Sequence, residues 1–152
     1  MEKKQVEKRW EGNFDMQLTP LIAIHMTAAI GAVLIGPFAL WARMGSPQRP
    51  WLHRAMGYAY ATLMLLAAFS ACFILDFNLP NIHGFTVIHL LIPVTLVSLW
   101  VAFRAIARKD FVTHRITMTS LYVSACLIAG GFTLLPSRYL GNLIWREWLG
   151  WV

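Results

Sequence analysis

Four long apolar segments, separated by short polar connections, constrain this chain more than any other feature of its sequence. They cover about 19–41, 53–77, 85–107 and 112–135, and an α-helix needs about 20 apolar residues to cross the hydrocarbon of a bilayer. Only 13% of the residues are charged, against about 25% in a typical soluble domain. The sequence therefore predicts an all-α integral membrane protein.

The connections between the segments are short, so sequential helices should run antiparallel in an up-down-up-down four-helix bundle. We expect a polar N-terminal segment over 1–17, the transmembrane domain over 18–136, and a Trp-rich amphipathic tail over 137–152. The composition of the tail is typical of an interfacial helix. Both odd-numbered loops are basic, which favours a cytoplasmic position for them in a bacterial inner membrane, although the basic N-terminus favours the opposite orientation.

The formal net charge of +6 does not indicate nucleic-acid binding. Lys and Arg lie at the edges of the apolar segments, a distribution typical of contact with a membrane surface. Cys72 and Cys126 fall inside apolar runs and are predicted to be small core residues. No set of nucleophile, base and acid indicates hydrolytic chemistry.

Four histidines lie near the starts of the four segments and define two levels in the predicted bundle. His25 and His89 begin parallel helices at one face, and His53 and His114 begin the other two at the opposite face, roughly 20 Å away. Pro93 cannot donate to the His89 carbonyl and predicts a kink there. Paired imidazoles on alternate helices can hold a planar group, and two histidines are an established ligand set for b-type haem.

The two boundary-side histidines share a motif, because each is followed by an arginine. Arg54 and Arg115 could hold the anionic propionates of a haem or a quinone head group. Tyr60 lies two helical turns beyond His53 on the same face and is a further candidate contact for a quinone. Together with the four histidines as metal ligands, these residues form the predicted cofactor site.

Three alternatives compete with haem ligation. His53 and His114 could anchor helix ends at the membrane boundary, and the deeper pair could form hydrogen bonds with backbone carbonyls or with Ser or Thr side chains. Met56 and Met118 place a thioether beside each boundary-side histidine, a combination that suits copper(I). Small residues on the His25 face of the first helix either pack against another helix or leave room for a macrocycle; they are Ala28, Ala29, Ala32 and Gly36.

The chain resembles a broad prokaryotic family of small predicted membrane proteins without an assigned function, over about 21–141. That resemblance implies a fold but no chemistry. The matching residues are His25, Leu52, His53, Arg54, Gly57, Tyr60, Asp110, His114, Arg115, Met118, Tyr122, Ala129, Gly130 and the run from Phe132 to Arg138.

A second likeness is to the di-haem core of transmembrane cytochromes b that oxidise ascorbate or quinol. On that likeness His25 and His89 would bind one haem, and His53 and His114 the other. The sequence departs from that pattern because His53 and His114 lie closer to the membrane boundary than embedded ligands do.

Two functions of different classes follow from these patterns. The first is a membrane-embedded protein with one or two haem b groups, which transfers electrons from a quinol or small reductant to a partner. The second is a cofactor-free accessory or assembly subunit of a larger membrane complex, or of a homo-oligomer. A transporter is less favoured, because no inverted repeat or midplane charge is present.

Overall fold

The described part of the protein is helical throughout. The structure is a computed structural model and describes residues 19–44, 47–74, 87–135, 141 and 143–150. No strand occurs among these residues, so the all-α prediction is confirmed for them. The four main helices are α1 (Pro20–Trp41), α2 (Pro50–Ala71), α3 (Leu91–Ala107) and α4 (Phe111–Leu121). The predicted N-terminal segment, 1–17, lies outside the described residues.

The helix starts follow from local sequence. Thr19 caps α1 by accepting a hydrogen bond from the Ile22 N–H at 3.3 Å, and Pro20 occupies the first helical position, where its missing N–H costs nothing. Pro93 has no N–H for the His89 carbonyl, and the chain before α3 forms a 3₁₀ turn, Val87–Leu90. The irregularity predicted from Pro93 therefore takes the form of this turn.

The fourth apolar segment is less regular than its sequence indicates. After α4 the chain widens into a π-helical stretch, Tyr122–Ile128, and then returns to an α-helical turn, α5 (Ala129–Phe132). Within the predicted tail, Leu143–Trp148 is also π-helical. The Trp145 indole N–H donates to the Leu134 carbonyl at 2.8 Å, which attaches this turn to the end of the fourth segment.

Contacts between the helices form a ring. α1 packs against α2, α2 against α3, and α3 against α4, and the π-helical stretch closes the ring on α1. Buried side chains from all four segments meet inside it: Ala32, Tyr60, Ala61, Met64, Leu99, Leu121 and Cys126. The core prediction is confirmed for Cys126 and wrong for Cys72, which is exposed because it falls in the turn after α2.

The small residues of α1 are used for close packing. A Cβ atom added at Gly36 would lie 2.5 Å from Cε2 of Tyr122, so only glycine leaves room for that ring. A Cβ atom at Gly31 would meet Leu63 at 3.1 Å. Side chains of the protein therefore already occupy the space next to Gly31 and Gly36.

Among the described residues, two helical stretches are long and apolar enough to cross a membrane, α1 and Phe111–Phe132. Their mean hydropathies are 2.0 and 1.2, while α3 is apolar but shorter. Large apolar side chains are exposed along the outside of the helices, including Leu34, Phe69, Val97 and Ile116. Such a surface is typical of a protein that contacts lipid.

Candidate functional site

His53 and His114 meet at one end of the molecule. Each is the fourth residue of its helix, in α2 and in α4. The centroids of the two imidazole rings are 6.3 Å apart, and the ring planes are nearly perpendicular, at 85°. The structure thus brings together the two histidines that the sequence pairs at the boundary-side level.

Both rings are oriented by the helix that precedes them. His53 Nδ1 lies 2.8 Å from the Ala39 carbonyl oxygen, and His114 Nδ1 lies 3.1 Å from that of Ala102. A carbonyl oxygen can only accept, so Nδ1 carries the proton in each ring. In a neutral imidazole the lone pair is then on Nε2, which is the nitrogen that commonly binds a metal.

The two bonds reveal a repeated hairpin. In each half of the chain, a histidine in the first turn of the second helix donates to a carbonyl in the last turns of the first helix. The histidine and its acceptor are 14 residues apart in the α1–α2 hairpin and 12 apart in the α3–α4 hairpin. The repeat of the His-Arg motif in the sequence is therefore a repeat in structure.

Space lies next to His53 on the same helix face. Gly57 follows His53 by four residues, which places it one turn deeper. A Cβ atom added at Gly57 would meet nothing within 4 Å. Arg54 and Arg115, which follow the two histidines, are exposed. The open space is therefore at Gly57, one turn from His53, and two guanidinium groups are near the histidine pair in sequence.

His25 is held at the opposite end of α2. Its Nδ1 lies 2.9 Å from the Ala67 carbonyl oxygen and 3.1 Å from Ser70 Oγ. Ser70 is buried, and its hydroxyl is 2.8 Å from the Leu66 carbonyl oxygen, so it can donate there and accept from His25. Again the proton is on Nδ1. The sequence analysis did not identify Ser70; its only signal is a hydroxyl within an apolar helix.

His89 lies at the same end of the molecule as His25 but uses its other ring nitrogen. His89 Nε2 is 2.9 Å from the Ile74 carbonyl oxygen, just beyond α2. Because that oxygen accepts, Nε2 carries the proton in the neutral ring. The shared level of His25 and His89 agrees with the sequence, while a common ligand between them stays a prediction.

Tyr60 belongs to the core rather than to an open face. Its side chain is 3% exposed, and its hydroxyl is 3.8 Å from Cys126 Sγ. Its ring centroid is 6.3 Å from that of Tyr122, whose hydroxyl donates to the Val33 carbonyl at 3.2 Å. The sulfur of Cys126 is also 3.9 Å from that of Met64. This cluster fills the space between the two histidine levels.

The profile of one protein family, described as "Predicted membrane protein (DUF2306)", matches residues 22–136. The chain belongs to this family. The matched region contains all four main helices except the first two residues of α1, and it includes both histidine levels. No curated protein and no solved structure matches the chain.

Membership of this family makes the chain a membrane protein in contact with lipid. Among the described residues, no group of three or more His, Cys, Asp or Glu side chains could hold a metal ion. Met118, the thioether proposed for copper(I), packs against the core. A pair of histidines is, however, sufficient for a metal that brings most of its ligands with it, as haem iron does.

Proposed function

We propose that this protein is an integral membrane four-helix bundle that binds haem b and transfers electrons across or within a bacterial inner membrane. His53 and His114 would hold the haem iron in this proposal. Haem supplies reversible one-electron chemistry, and the surrounding residues set its position and potential.

The observation that carries the proposal is the separation of the two rings. A metal about 2.0 Å from an imidazole nitrogen lies about 3 Å from the ring centre, so two axial imidazoles have centroids about 6 Å apart. The centroids of His53 and His114 are 6.3 Å apart. The same separation and the angle of 85° also suit an edge-to-face contact between the two rings, so the spectra described below decide between the two.

The residues around the pair fit a haem. The Nδ1 bonds to the carbonyls of Ala39 and Ala102 fix the tautomer that leaves Nε2 as the ligand, and they orient both rings. Gly57 leaves room for the edge of a macrocycle beside its ligand helix. Arg54 and Arg115 would pair with the propionates.

A second haem would use His25 and His89 at the other face, which gives a path for electrons between the faces. The hydrogen bonds of His25 Nδ1 to the Ala67 carbonyl and Ser70 Oγ put the ring proton on Nδ1. The Nε2 lone pair can then bind a metal. His89 would have to exchange its Nε2 bond to Ile74 for the metal. We therefore expect the His53 and His114 level to bind haem more tightly. A quinol is the expected electron donor at a membrane-facing site.

Optical spectra of the purified protein test the proposal. In mild detergent, reduced-minus-oxidised spectra and the pyridine haemochrome should reveal haem b, and His53→Ala and His114→Ala should each lose the same haem. His83→Ala is the matched control because it removes a histidine that lies in sequence between the second and third apolar segments. A folded wild-type protein without a Soret band after expression with added haem precursor would refute the proposal.

One observation favours the alternative, a cofactor-free accessory subunit. Among the described residues, every buried side-chain nitrogen or oxygen has a hydrogen-bond partner. The histidines then serve only to join helix ends through carbonyl bonds. That alternative predicts colourless protein that co-purifies with stoichiometric membrane partners, and loss of stability rather than of colour in His53→Ala.

A further inference from the structure

Two arginines are stacked on tryptophan rings at the end of the molecule that holds His53 and His114. The Arg49 guanidinium carbon lies 4.5 Å from the ring centroid of Trp41, and that of Arg104 lies 5.2 Å from the ring centroid of Trp100. Each hairpin contributes one such pair. Both distances are within the range of cation–π attraction, which holds each guanidinium over its indole ring.

Both tryptophans lie on the outer surface: Trp41 is the last residue of α1, and Trp100 lies seven residues before the end of α3. Trp41 is 50% exposed and Trp100 is 62% exposed. Trp41 follows Ala39 by two residues and Trp100 precedes Ala102 by two, so both lie close to the level of the carbonyls that hold the histidines. Exposed indoles on the outside of membrane helices are typical of the interface between hydrocarbon and lipid headgroups.

The charge at this end is strongly positive. Asp110 is the only acidic side chain in the two described loop regions, 42–54 without the masked 45–46, and 103–115, and its carboxylate caps α4 through Thr113. The basic residues of the same regions are Arg43, Arg49, Arg54, Arg104, Arg108, Lys109 and Arg115. This imbalance attracts anions from the membrane surface.

We propose that the Arg49–Trp41 and Arg104–Trp100 pairs are two binding sites for the phosphate of anionic phospholipids. A guanidinium that stacks by its face keeps its edge N–H groups available, and that edge matches two phosphate oxygens. The indole beside it contacts the glycerol and the first carbons of the acyl chains. This inference is independent of haem binding, since neither pair includes a proposed ligand.

A lipid-selectivity measurement tests the proposal. Spin-labelled phosphatidylglycerol and spin-labelled phosphatidylcholine are compared in phosphatidylcholine vesicles that contain the full-length protein. The ratio of their association constants, obtained from the motionally restricted fraction, should favour phosphatidylglycerol in the wild type. Removal of one stacked arginine should lower this preference at its site about five-fold.

Matched variants separate an organised site from general surface charge. Arg49→Gln with Arg104→Gln removes two charges together with both stacks. Arg43→Gln with Arg108→Gln removes two charges from the same end and leaves the stacks intact. We expect the first pair to remove most of the preference and the second pair to retain most of it. Equal losses from both pairs would overturn the proposal.

Two further measurements address variants that do not fold and the chemical source of the phosphate. If the double glutamine variant does not fold, Arg49→Lys and Arg104→Lys keep the charge and should still reduce the preference, because ammonium lacks the planar edge. Inorganic phosphate should not displace spin-labelled phosphatidylglycerol beyond the effect of chloride at equal ionic strength. Specific displacement by phosphate would identify free phosphate as the ligand and refute the assignment to lipid.

Discussion

At the residue scale, the site depends on which ring nitrogen of each histidine carries the proton. His25, His53 and His114 all donate through Nδ1 to backbone carbonyls, whereas His89 donates through Nε2. The sequence predicts the histidines and their two levels because these depend on helix register. It could not predict the acceptors Ala39 and Ala102, because every residue has a carbonyl and only the packing selects one.

Gly57→Leu should block haem binding without unfolding the protein. The added side chain would enter the open space one turn below His53, where a Cβ atom meets nothing within 4 Å. We expect wild-type helicity and loss of most of the haem, measured as haem per protein. Gly57→Ala is the control: it should stabilise α2 by about 0.5–1 kcal/mol and retain haem. Full haem content in Gly57→Leu would show that the cofactor does not use this space.

Gly36→Ala should destabilise the fold itself. Its Cβ atom would lie 2.5 Å from the Tyr122 ring, which has to move although its hydroxyl is bonded to Val33. We expect a loss of about 1–3 kcal/mol in the free energy of unfolding, measured by denaturant titration in detergent. Gly130→Ala is the control, since its Cβ atom meets nothing within 4 Å. Equal effects at both glycines would contradict this account of the α1 face.

At the element scale, apolar length predicted the four main helices but not all of their ends, and it did not predict their internal geometry. α2 covers Pro50–Ala71, whereas the sequence indicates about 53–77, because Pro50 begins the helix and a turn follows Ala71. α1 and α3 end at Trp41 and Ala107, as the sequence indicates, because loop residues follow both. The fourth segment reads as one continuous helix, yet it widens into the stretch Tyr122–Ile128. Hydrophobic periodicity does not distinguish a π-helical stretch from an α-helix, because both place apolar side chains on every side of a lipid-exposed segment.

The start of α4 should depend on the ionisation of Asp110. Hydrogen bonds from the side chain and backbone N–H of Thr113 lower the pKa of this carboxyl below its ordinary value of 3.8. Because the pKa is lowered in the folded state, the ionised cap stabilises the helix at pH values above the ordinary pKa. This stabilisation is lost as the pH falls through the pKa of the folded state. We expect thermal scans to show that wild type loses stability relative to Asp110→Asn below about pH 4.

The asparagine in that comparison keeps a capping oxygen at every pH. Asp110→Ala has no cap and should be less stable than wild type at neutral pH, with a difference that shrinks in acid. A pH-independent difference between wild type and Asp110→Asn would show that the carboxylate is not the group that titrates. The cap also bears on the site, because His114 N donates to the Asp110 carbonyl at 3.2 Å.

At the scale of the whole molecule, the fold is a pair of similar hairpins whose second helices carry the His-Arg motifs. The sequence shows the repeated His-Arg motif and predicts four helices, but it did not predict that the two hairpins repeat the same hydrogen bond. It placed the stronger ligands at His25 and His89, since these lie deeper, whereas the structure brings the rings of His53 and His114 together. The depth of a histidine in the bilayer follows from its position in an apolar segment. The orientation of its imidazole ring towards a partner depends on how the helices pack.

The central claim is that His53 and His114 share one haem iron, and ligand replacement tests it most directly. The ferric wild-type protein should give a low-spin electron paramagnetic resonance signal with strong anisotropy, because perpendicular imidazoles leave two iron d orbitals close in energy. His114→Gly should convert the signal to high spin, and added imidazole should restore the low-spin form. A low-spin signal unchanged in His114→Gly, or the absence of haem from folded wild-type protein, would contradict the account.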